Sequence, residues 1–314
     1  MPRPRREYVL SNPVGIVHIG DPFVLYDNGT FYLYATSSKI GFKVWSSVDL
    51  KNWMEHPECY ERTENSFGYK DFWAPEVLFH KGRYIMHYTA RRKRDDRLCI
   101  GVAVSESPLG PFSDLRNEPI ADFGYAAIDG HVFMDDDGKN YLYFSKDCSE
   151  NITDNRHESR IYAALLNDDL DRIVSEPILL TKPEKPWETL SGPDWLWNEG
   201  PFVLKRNNRY YLMYSANCYA TKEYCICYAV SDRPLGPFVK SEDNPILKYR
   251  EGVSGPGHNS VFRIGESLVC AYHVHTDCNK PGGDRQVFFD KIYFEGDKLR
   301  IEGPTIGKET IYRV

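Results

Sequence analysis

Four polar residues, Asp21, Asp129, Glu199 and His258, each stand at the head of an apolar, strand-like run. A single acid before a strand is more often a turn or cap residue, but three at equivalent positions of a repeat favour a common site. Carboxylates gathered in one pocket repel each other, so burial and proximity raise their pKa values. Paired carboxylates suit glycoside hydrolysis, in which one acid protonates the leaving oxygen and the other activates water or attacks the anomeric carbon.

The neighbours of two of these acids suggest their roles. Trp195 and Trp197 lie close to Glu199 in the sequence and would supply apolar walls that raise its pKa, together with flat faces on which sugar rings stack. Glu199 is therefore the better candidate for the proton donor. Asp21 lies between a glycine and a proline. Such a stiff, accessible turn suits an ionised general base.

An internal repeat must position these residues. One sequence pattern recurs five times: an apolar run, a polar turn and an aromatic-aliphatic strand. Each copy is predicted to be a β-hairpin. A second strand pair follows most copies, and in two of them it ends in Ser-x-x-Pro-Leu-Gly-Pro-Phe. The five copies start at Asp21, Trp73, Asp129, Glu199 and His258.

Four strands per unit, repeated every 50–70 residues or so, predict an all-β fold, a five-bladed β-propeller with four antiparallel strands in each blade. A doubly wound sheet is excluded because no segment shows convincing helical periodicity. No linker interrupts the repeats, so residues 1–314 are predicted to form a single catalytic domain. We expect Tyr8–Val17 or the segment from Glu309 onwards to complete a blade shared with the other terminus, because an unpaired edge would be exposed.

Composition narrows the classes of protein further. The 314 residues include 44 aromatic ones, enough for a packed core, and the net charge is −6. The mild acidity argues against nucleic-acid binding, and no apolar run is long enough to cross a bilayer. The eight cysteines are expected to be reduced, buried thiols. The start resembles no export signal, so a cytoplasmic location is expected as written, or a secreted or periplasmic one if the N-terminus has been trimmed.

The motifs together resemble glycoside hydrolase family 43. The similarity runs through all five repeats, over about residues 15 to 300, and the three acidic motifs occur in the family's order. The motifs are Asp21-Pro-Phe, Trp73-Ala-Pro-Glu, Ile128-Asp-Gly, Glu199-Gly-Pro and Gly257-His-Asn-Ser. The resemblance implies a five-bladed propeller and hydrolysis with inversion of anomeric configuration.

The resemblance also implies roles for individual residues. Asp21 matches the family's general base, Glu199 its general acid, and Asp129 the third carboxylate that orients the sugar and tunes the acid. His258 matches a histidine near the central channel that in some members contacts a metal or its waters, so a channel calcium ion is possible although no cofactor is required. Arg285 lies about where the family often places an arginine that reaches the sugar.

Other expectations concern the pocket walls. The chain ends after the fifth repeat, so loops such as 148–159 and 181–197, or a partner subunit, are expected to complete the pocket; the oligomeric state is not predicted. Trp73 is as good a candidate for a sugar platform as for a packing residue, whereas Trp45 and Trp53 are expected in the core. His131, His273 and His275 are expected to be structural.

Two classes of function remain open. The leading prediction is an exo-glycosidase that removes terminal α-L-arabinofuranosyl or β-D-xylosyl residues from arabinose- or xylose-containing oligosaccharides. Within enzymes, the alternative is an endo-arabinanase or another five-bladed glycosidase, which a long open groove would favour. The competing class is a non-catalytic carbohydrate-binding propeller, which needs aromatic platforms but no matched acid and base.

Overall fold

The computed structural model describes residues 6–313 and shows an almost all-β protein. Residues 1–5, part of the start on which the localisation prediction rests, and Val314 lie outside the described residues. One turn of 3-10 helix occupies Pro186–Glu188, and strand β1 spans Glu7–Ser11. Within residues 6–313, no helix combines the length and the apolar character needed to cross a membrane.

Five blades follow along the chain, which confirms the predicted propeller, and the pairing order within each blade follows the sequence. Blade one comprises β2 (Gly20–Asp27), β3 (Thr30–Thr36), β4 (Gly41–Ser47) and β5 (Met54–Glu61). Blade two comprises β6 (Gly68–His80), β7 (Arg83–Arg92), β8 (Leu98–Ser105) and β9 (Ser113–Asp114). Blade three comprises β10 (Ala127–Met134), β11 (Asn140–Lys146), β13 (Arg156–Leu166) and β14 (Ile178–Thr181), with the short β12 (Ile152–Thr153) folded onto β13. Blade four comprises β15 (Trp195–Arg206), β16 (Arg209–Ala216), β17 (Cys225–Ser231) and β18 (Val239–Lys240). Blade five comprises β19 (Gly257–Ile264), β20 (Ser267–His275), β21 (Arg285–Glu295) and β22 (Lys298–Ile301).

The hairpin turns lie where the sequence predicts them. Asn28 and Gly29 have φ values of 47° and 87°, and Asn207 and Asn208 have values of 50° and 58°. Positive φ at both central residues matches the right-handed twist of the flanking strands, and asparagine and glycine tolerate it best. The turn residues therefore fix the register of each inner hairpin.

Aromatic and aliphatic side chains fill the gaps between neighbouring blades. One cluster joins Tyr34 of blade one to Phe72 of blade two, and another joins Tyr143 of blade three to Tyr214 of blade four. The remaining gaps hold similar clusters. Adjacent sheets have few backbone hydrogen bonds to each other. The blades are therefore held together mainly by the burial of these large rings. The tyrosines of the repeats are thus mainly packing residues, and Trp45 is buried as expected.

Blades three and four are an exception because a ladder of paired strands joins them, whereas blades one and two share only an isolated bridge, between Tyr60 and Phe112, in the described residues. His157–Ser159 of β13 pairs in parallel with Trp195–Trp197 of β15, so the two blades form one nine-stranded sheet. Much of the segment 148–159, predicted to be a loop, is a hairpin made by β12 and the start of β13. No sequence pattern predicts this pairing, since it lies outside the repeated segments.

The prediction that one terminus completes a shared blade is wrong. Blade five is built from four consecutive strands, and β1 instead pairs with β23 (Glu309–Arg313) in a separate two-stranded sheet. The N-terminal segment that follows β1 supplies no strand of a blade, but residues 14–19 lie along the edge of β21 in blade five, joined to it by a bridge between Val17 and Gln286 and by three further backbone hydrogen bonds. The two ends protect each other's edges, so neither has to enter a blade.

Candidate active site

Each innermost strand carries a β-bulge at the head of its repeat. The pairing of β2 with β3, for example, shifts between Gly20 and Phe23. In every blade one residue of the bulge has a positive φ, between 45° and 59°: Asp21, Ala74, Asp129, Gly200 and His258. Bulges re-aim side chains at the ends of strands, and here they turn the head of each blade towards one volume.

The bulges also correct one assumption of the repeat alignment. Asp21 and Asp129 occupy the positive-φ position, whereas Glu199 stands one residue before it. Gly200 takes the left-handed conformation in blade four, since glycine adopts it without strain. Glu199 is therefore equivalent to Trp73 of blade two rather than to the two aspartates.

These heads surround a cavity of about 300 Å³. Seven of the eight residues predicted for the site line it: Asp21, Trp73, Asp129, Trp197, Glu199, His258 and Arg285. The structure thus brings together three carboxylates, one arginine, one histidine and two tryptophans. Trp195 is not among the lining residues.

Asp21 is surrounded by positive charge and hydrogen-bond donors. The Nη1 atom of Arg285 lies 3.0 Å from its Oδ1, and the Thr36 hydroxyl donates to its Oδ2 at 2.6 Å. The Nδ1 atoms of His258 and His273 lie 3.3 and 3.4 Å from Oδ1. Burial alone would raise the pKa of Asp21, but Arg285 and His258 hold this pKa well below its ordinary value. Asp21 is therefore ionised, as a general base must be.

Glu199 has the opposite electrostatic surroundings. Burial raises the pKa of Glu199 well above its ordinary value, and the negative charges of Asp129, Asp147 and Asp21 raise it further. One hydrogen bond opposes this shift, because the Tyr224 hydroxyl donates to Glu199 Oε1 at 2.8 Å. The side chain therefore keeps its proton at pH values where an exposed glutamate has lost it, as a general acid requires.

Asp129 lies between these extremes. Burial raises its pKa to about 6; the Asp21 charge also raises it, while His258 and the Gly200 amide lower it. The Gly200 N–H donates to Asp129 Oδ2 at 3.1 Å, which links this carboxylate to the peptide that follows Glu199. Asp129 can thus act on the acid in two ways, through its charge and through the backbone.

Two glycines make room for the groups that serve the acids. A Cβ atom on Gly20 would collide with the Arg285 guanidinium, and one on Gly257 would collide with the Tyr224 ring. The Tyr224 ring also stacks on His273, with ring centroids 5.5 Å apart and an interplanar angle of 5°. His273 was expected to be structural, but its ring contacts the Asp21 carboxylate and accepts the Asp21 N–H at 3.1 Å.

Aromatic side chains extend from the cavity to its outside. Trp73 packs against Leu98 and Ile128, which also line the cavity. Trp197 lines the same cavity, and Trp195 lies beyond it, with ring centroids 6.3 Å apart. The Trp195 side of this strip continues with a stacked histidine from the β12–β13 hairpin, at 3.8 Å and 6°. The strip offers successive flat faces, of the kind on which sugars stack.

The donor atoms around His258 bear on the predicted calcium ion. Among residues 6–313, no group of three or more His, Cys, Asp or Glu side chains is arranged to hold a metal ion. Calcium takes six to eight oxygen ligands, whereas His258 offers an imidazole whose Nδ1 faces the Asp21 carboxylate. These side chains do not fit a calcium site, and no catalytic step is assigned to a metal.

Several lining residues were missed by the sequence reasoning. Asp147 and Ser149 belong to the segment that follows β11, and Tyr219 and Tyr224 to the loop before β17. A signal did exist for Asp147, because it follows the second strand of its repeat by one residue and so lies at the cavity end of the blade. Tyr219, Tyr224 and Arg91 lie outside the repeated heads, and nothing in their spacing marked them.

Comparisons with known proteins identify the family. The sequence profile described as glycosyl hydrolases family 43 matches residues 10–299. A β-D-galactofuranosidase, xynD, from Aspergillus niger is 29% identical over 310 residues, which cover 90% of this chain and 82% of that protein. Other relatives, at about 26% identity, bear the names of arabinofuranosidases, xylosidases and an endo-arabinanase.

Solved structures give the same result. The crystal structure of a thermostable family-43 glycoside hydrolase superposes with a TM-score of 0.91 at 46% identity, covering 95% of this chain and 97% of the other. An endo-1,4-β-xylanase from Bacteroides thetaiotaomicron superposes with a TM-score of 0.81 at 34% identity, covering 94% and 97%. The profile spans nearly the whole chain, and a solved member of the family shares its fold. The chain is therefore a glycoside hydrolase that belongs to family 43.

Proposed function

We propose that the chain is an inverting exo-glycosidase that removes terminal α-L-arabinofuranosyl or β-D-xylosyl residues from plant-derived oligosaccharides. The observation that carries the proposal is the opposite electrostatic setting of two carboxyls in one cavity. Asp21 has a lowered pKa and Glu199 a raised one. Titratable groups whose environments push their pKa values apart are the mark of an acid and base pair.

In this mechanism the ionised Asp21 accepts a proton from water as the water attacks the anomeric carbon. Glu199 donates its proton to the leaving oxygen, so the glycosidic bond breaks as the new bond forms. Direct attack by water inverts the anomeric configuration, and the two carboxyls must then stand about 6.5–9.5 Å apart to admit it. The charge of Asp129 helps Glu199 to keep its proton until the leaving group takes it.

The size of the cavity supports exo action. At about 300 Å³ it lies at the lower end of the range for small-ligand sites, roughly 300–1,000 Å³. Such a volume suits one terminal sugar better than a chain that lies across the channel mouth. The names of several relatives support arabinose or xylose as that sugar, and one relative's name adds galactofuranose to the sugars that need testing.

The test is the hydrolysis of matched arabinofuranosides, xylosides and galactofuranosides by the wild type, Asp21→Asn and Glu199→Gln. For an unactivated oligosaccharide, loss of either group should lower kcat by roughly 10²–10⁴-fold. With a dinitrophenyl leaving group, which departs without a proton, Glu199→Gln should lose far less activity while Asp21→Asn loses as much as before. Circular dichroism and Tm serve as the folding control.

Four results would contradict the proposal. Full activity in both variants would refute the assignment of the acid and the base. Retention of configuration in the first product, followed by NMR, would exclude direct attack by water. Binding of glycosides without turnover would favour the carbohydrate-binding class, and release of internal fragments from arabinan would favour the endo-arabinanase alternative.

A further inference from the structure

A ring of hydrogen bonds ties the five innermost hairpins together. In each blade, the residue of the second strand that pairs with the start of the bulge carries a side-chain acceptor. In four of the five junctions, this acceptor receives the N–H of the positive-φ residue in the next blade, at 2.7–3.1 Å. The acceptor positions are Thr36, Thr89, Ser145, Ser215 and His273.

The junction between blades three and four departs from this pattern. By the repeat, the Gly200 N–H should bond to the Ser145 hydroxyl. It donates instead to Asp129 Oδ2, at 3.1 Å. Ser145 is fully buried, and within the described part of the chain its Oγ has no hydrogen-bond partner.

An unpaired buried hydroxyl is destabilising, and folded proteins contain few of them. Alanine at position 145 would fill nearly the same space without that cost. The equivalent hydroxyls of Thr89 and Ser215 show that a side chain at this position reaches the amide of the next blade. Ser145 is therefore placed to accept the Gly200 N–H, which in this structure donates to Asp129 instead.

The competing acceptor, Asp129, can form a different hydrogen bond when a sugar is bound. Asp129 lines the cavity, and its carboxylate faces the negative charges of Asp21 and Asp147 as well as His258. Sugar hydroxyls donate hydrogen bonds to carboxylates, so a sugar in the cavity competes with the Gly200 amide for Asp129. If the carboxylate turned to the sugar, the amide next to Glu199 would lose its acceptor.

We propose that Ser145 is a positioning residue, whose hydroxyl accepts the Gly200 N–H when Asp129 turns to a bound sugar. The peptide that follows Glu199 then keeps its place, and so does the acid. The part of this inference that concerns turnover rests on the proposed function. The exchange of acceptors itself does not, because removing Asp129 should also transfer the hydrogen bond to Ser145.

A double-mutant cycle on thermal stability tests the exchange without a substrate. Ser145→Ala in the otherwise intact protein should leave Tm unchanged or raise it, because it removes an unpaired hydroxyl. In an Asp129→Ala background the same change should lower Tm by about 2 °C, because there the hydroxyl holds the Gly200 amide. Ala74 occupies the equivalent position with φ of 45°, so alanine is tolerated there, and Asp129→Gly is the second background if Asp129→Ala does not fold.

Ser215→Ala is the matched control, since it removes an acceptor that is already in use, and it should lower Tm in the intact protein. If Ser145→Ala changed Tm equally in the intact protein and in the Asp129 variant, the exchange would be overturned.

The kinetic test asks whether the exchange serves turnover. Ser145→Ala should lower kcat/KM about tenfold, roughly the effect of one hydrogen bond, without lowering Tm. Ser145→Thr should restore it, because blades one and two use threonine at this position. An unchanged kcat/KM beside a coupled stability cycle would overturn the positioning role. If no glycoside is hydrolysed by the intact protein, the proposed function fails while the cycle still decides the exchange.

Discussion

Removing the Tyr224 hydroxyl should move the alkaline limb of activity to higher pH. The hydroxyl donates to Glu199 Oε1 at 2.8 Å, both side chains are buried, and the bond favours the ionised form of the acid. A hydrogen bond to a charged group contributes about 1.5–3 kcal/mol, and one to a neutral group about 0.5–1.5 kcal/mol. The difference is about 1–1.5 kcal/mol between the two protonation states of Glu199.

That difference converts to a rise of about one unit in the pKa of Glu199, at 1.36 kcal/mol per unit. Because the proposed acid works only when protonated, Tyr224→Phe should stay active to a pH about one unit higher. Its maximal kcat should fall modestly, because a weaker acid transfers its proton less readily.

The assay is the pH profile of kcat/KM on an unactivated oligosaccharide, since an activated leaving group does not require the acid. Tyr219→Phe is the matched control, as it removes a tyrosine hydroxyl from the same cavity, and the alkaline limb should not move. An unchanged limb in Tyr224→Phe, or one that moves to lower pH, would refute the conclusion that the Tyr224 hydroxyl lowers the pKa of Glu199.

Three further predictions follow from other contacts. Arg285→Met should raise the pKa of the proposed base by about 1–3 units, so that the acidic limb of the kcat/KM profile moves upward by that amount; an unmoved limb would contradict the role of this charge. Lys240→Met leaves the buried Glu188 carboxylate without its cation and should cost about 3–5 kcal/mol in chemical denaturation, whereas Lys185→Met, at an exposed pair, should cost about 1 kcal/mol or less. Trp195→Ala should raise KM for long oligosaccharides and leave aryl monoglycosides unaffected, because its ring lies outside the cavity; equal effects on both would place it in the sugar pocket.

The sequence predicted the propeller well because its signals are local. Turn residues such as Asn28 and Gly29 and the alternating aromatic strands determine each hairpin, and the hairpins repeat. Because the repeats are recognisable, the sequence also predicted that the first residues of the five copies surround one cavity. The alignment of the repeats placed Glu199 opposite Asp21 and Asp129, although it stands one residue earlier. The positive-φ position of the bulge is occupied by an aspartate in blades one and three and by Gly200 in blade four, and the sequence does not show which residue takes it.

Other features depend on contacts between distant segments. The pairing of β1 with β23 and the parallel pairing of His157–Ser159 with Trp195–Trp197 have no counterpart in the repeats. Tyr224 reaches Glu199 because Gly257, from another blade, leaves room for its ring. A single sequence shows the glycine but not which side chain needs its space.

Because blades three and four share one sheet, the junction between them resists separation more than the junctions between the other blades. The other gaps are held by side-chain clusters and by isolated hydrogen bonds, such as the one from the Phe112 N–H to the Cys59 carbonyl, whereas a ladder of paired strands, β13 with β15, must break before blades three and four separate. Amide hydrogens in this ladder should exchange with solvent only in larger openings. Asp129 and Glu199 are carried by these two blades. Thermal breathing of the ring therefore changes their separation less than the distance from either residue to Asp21.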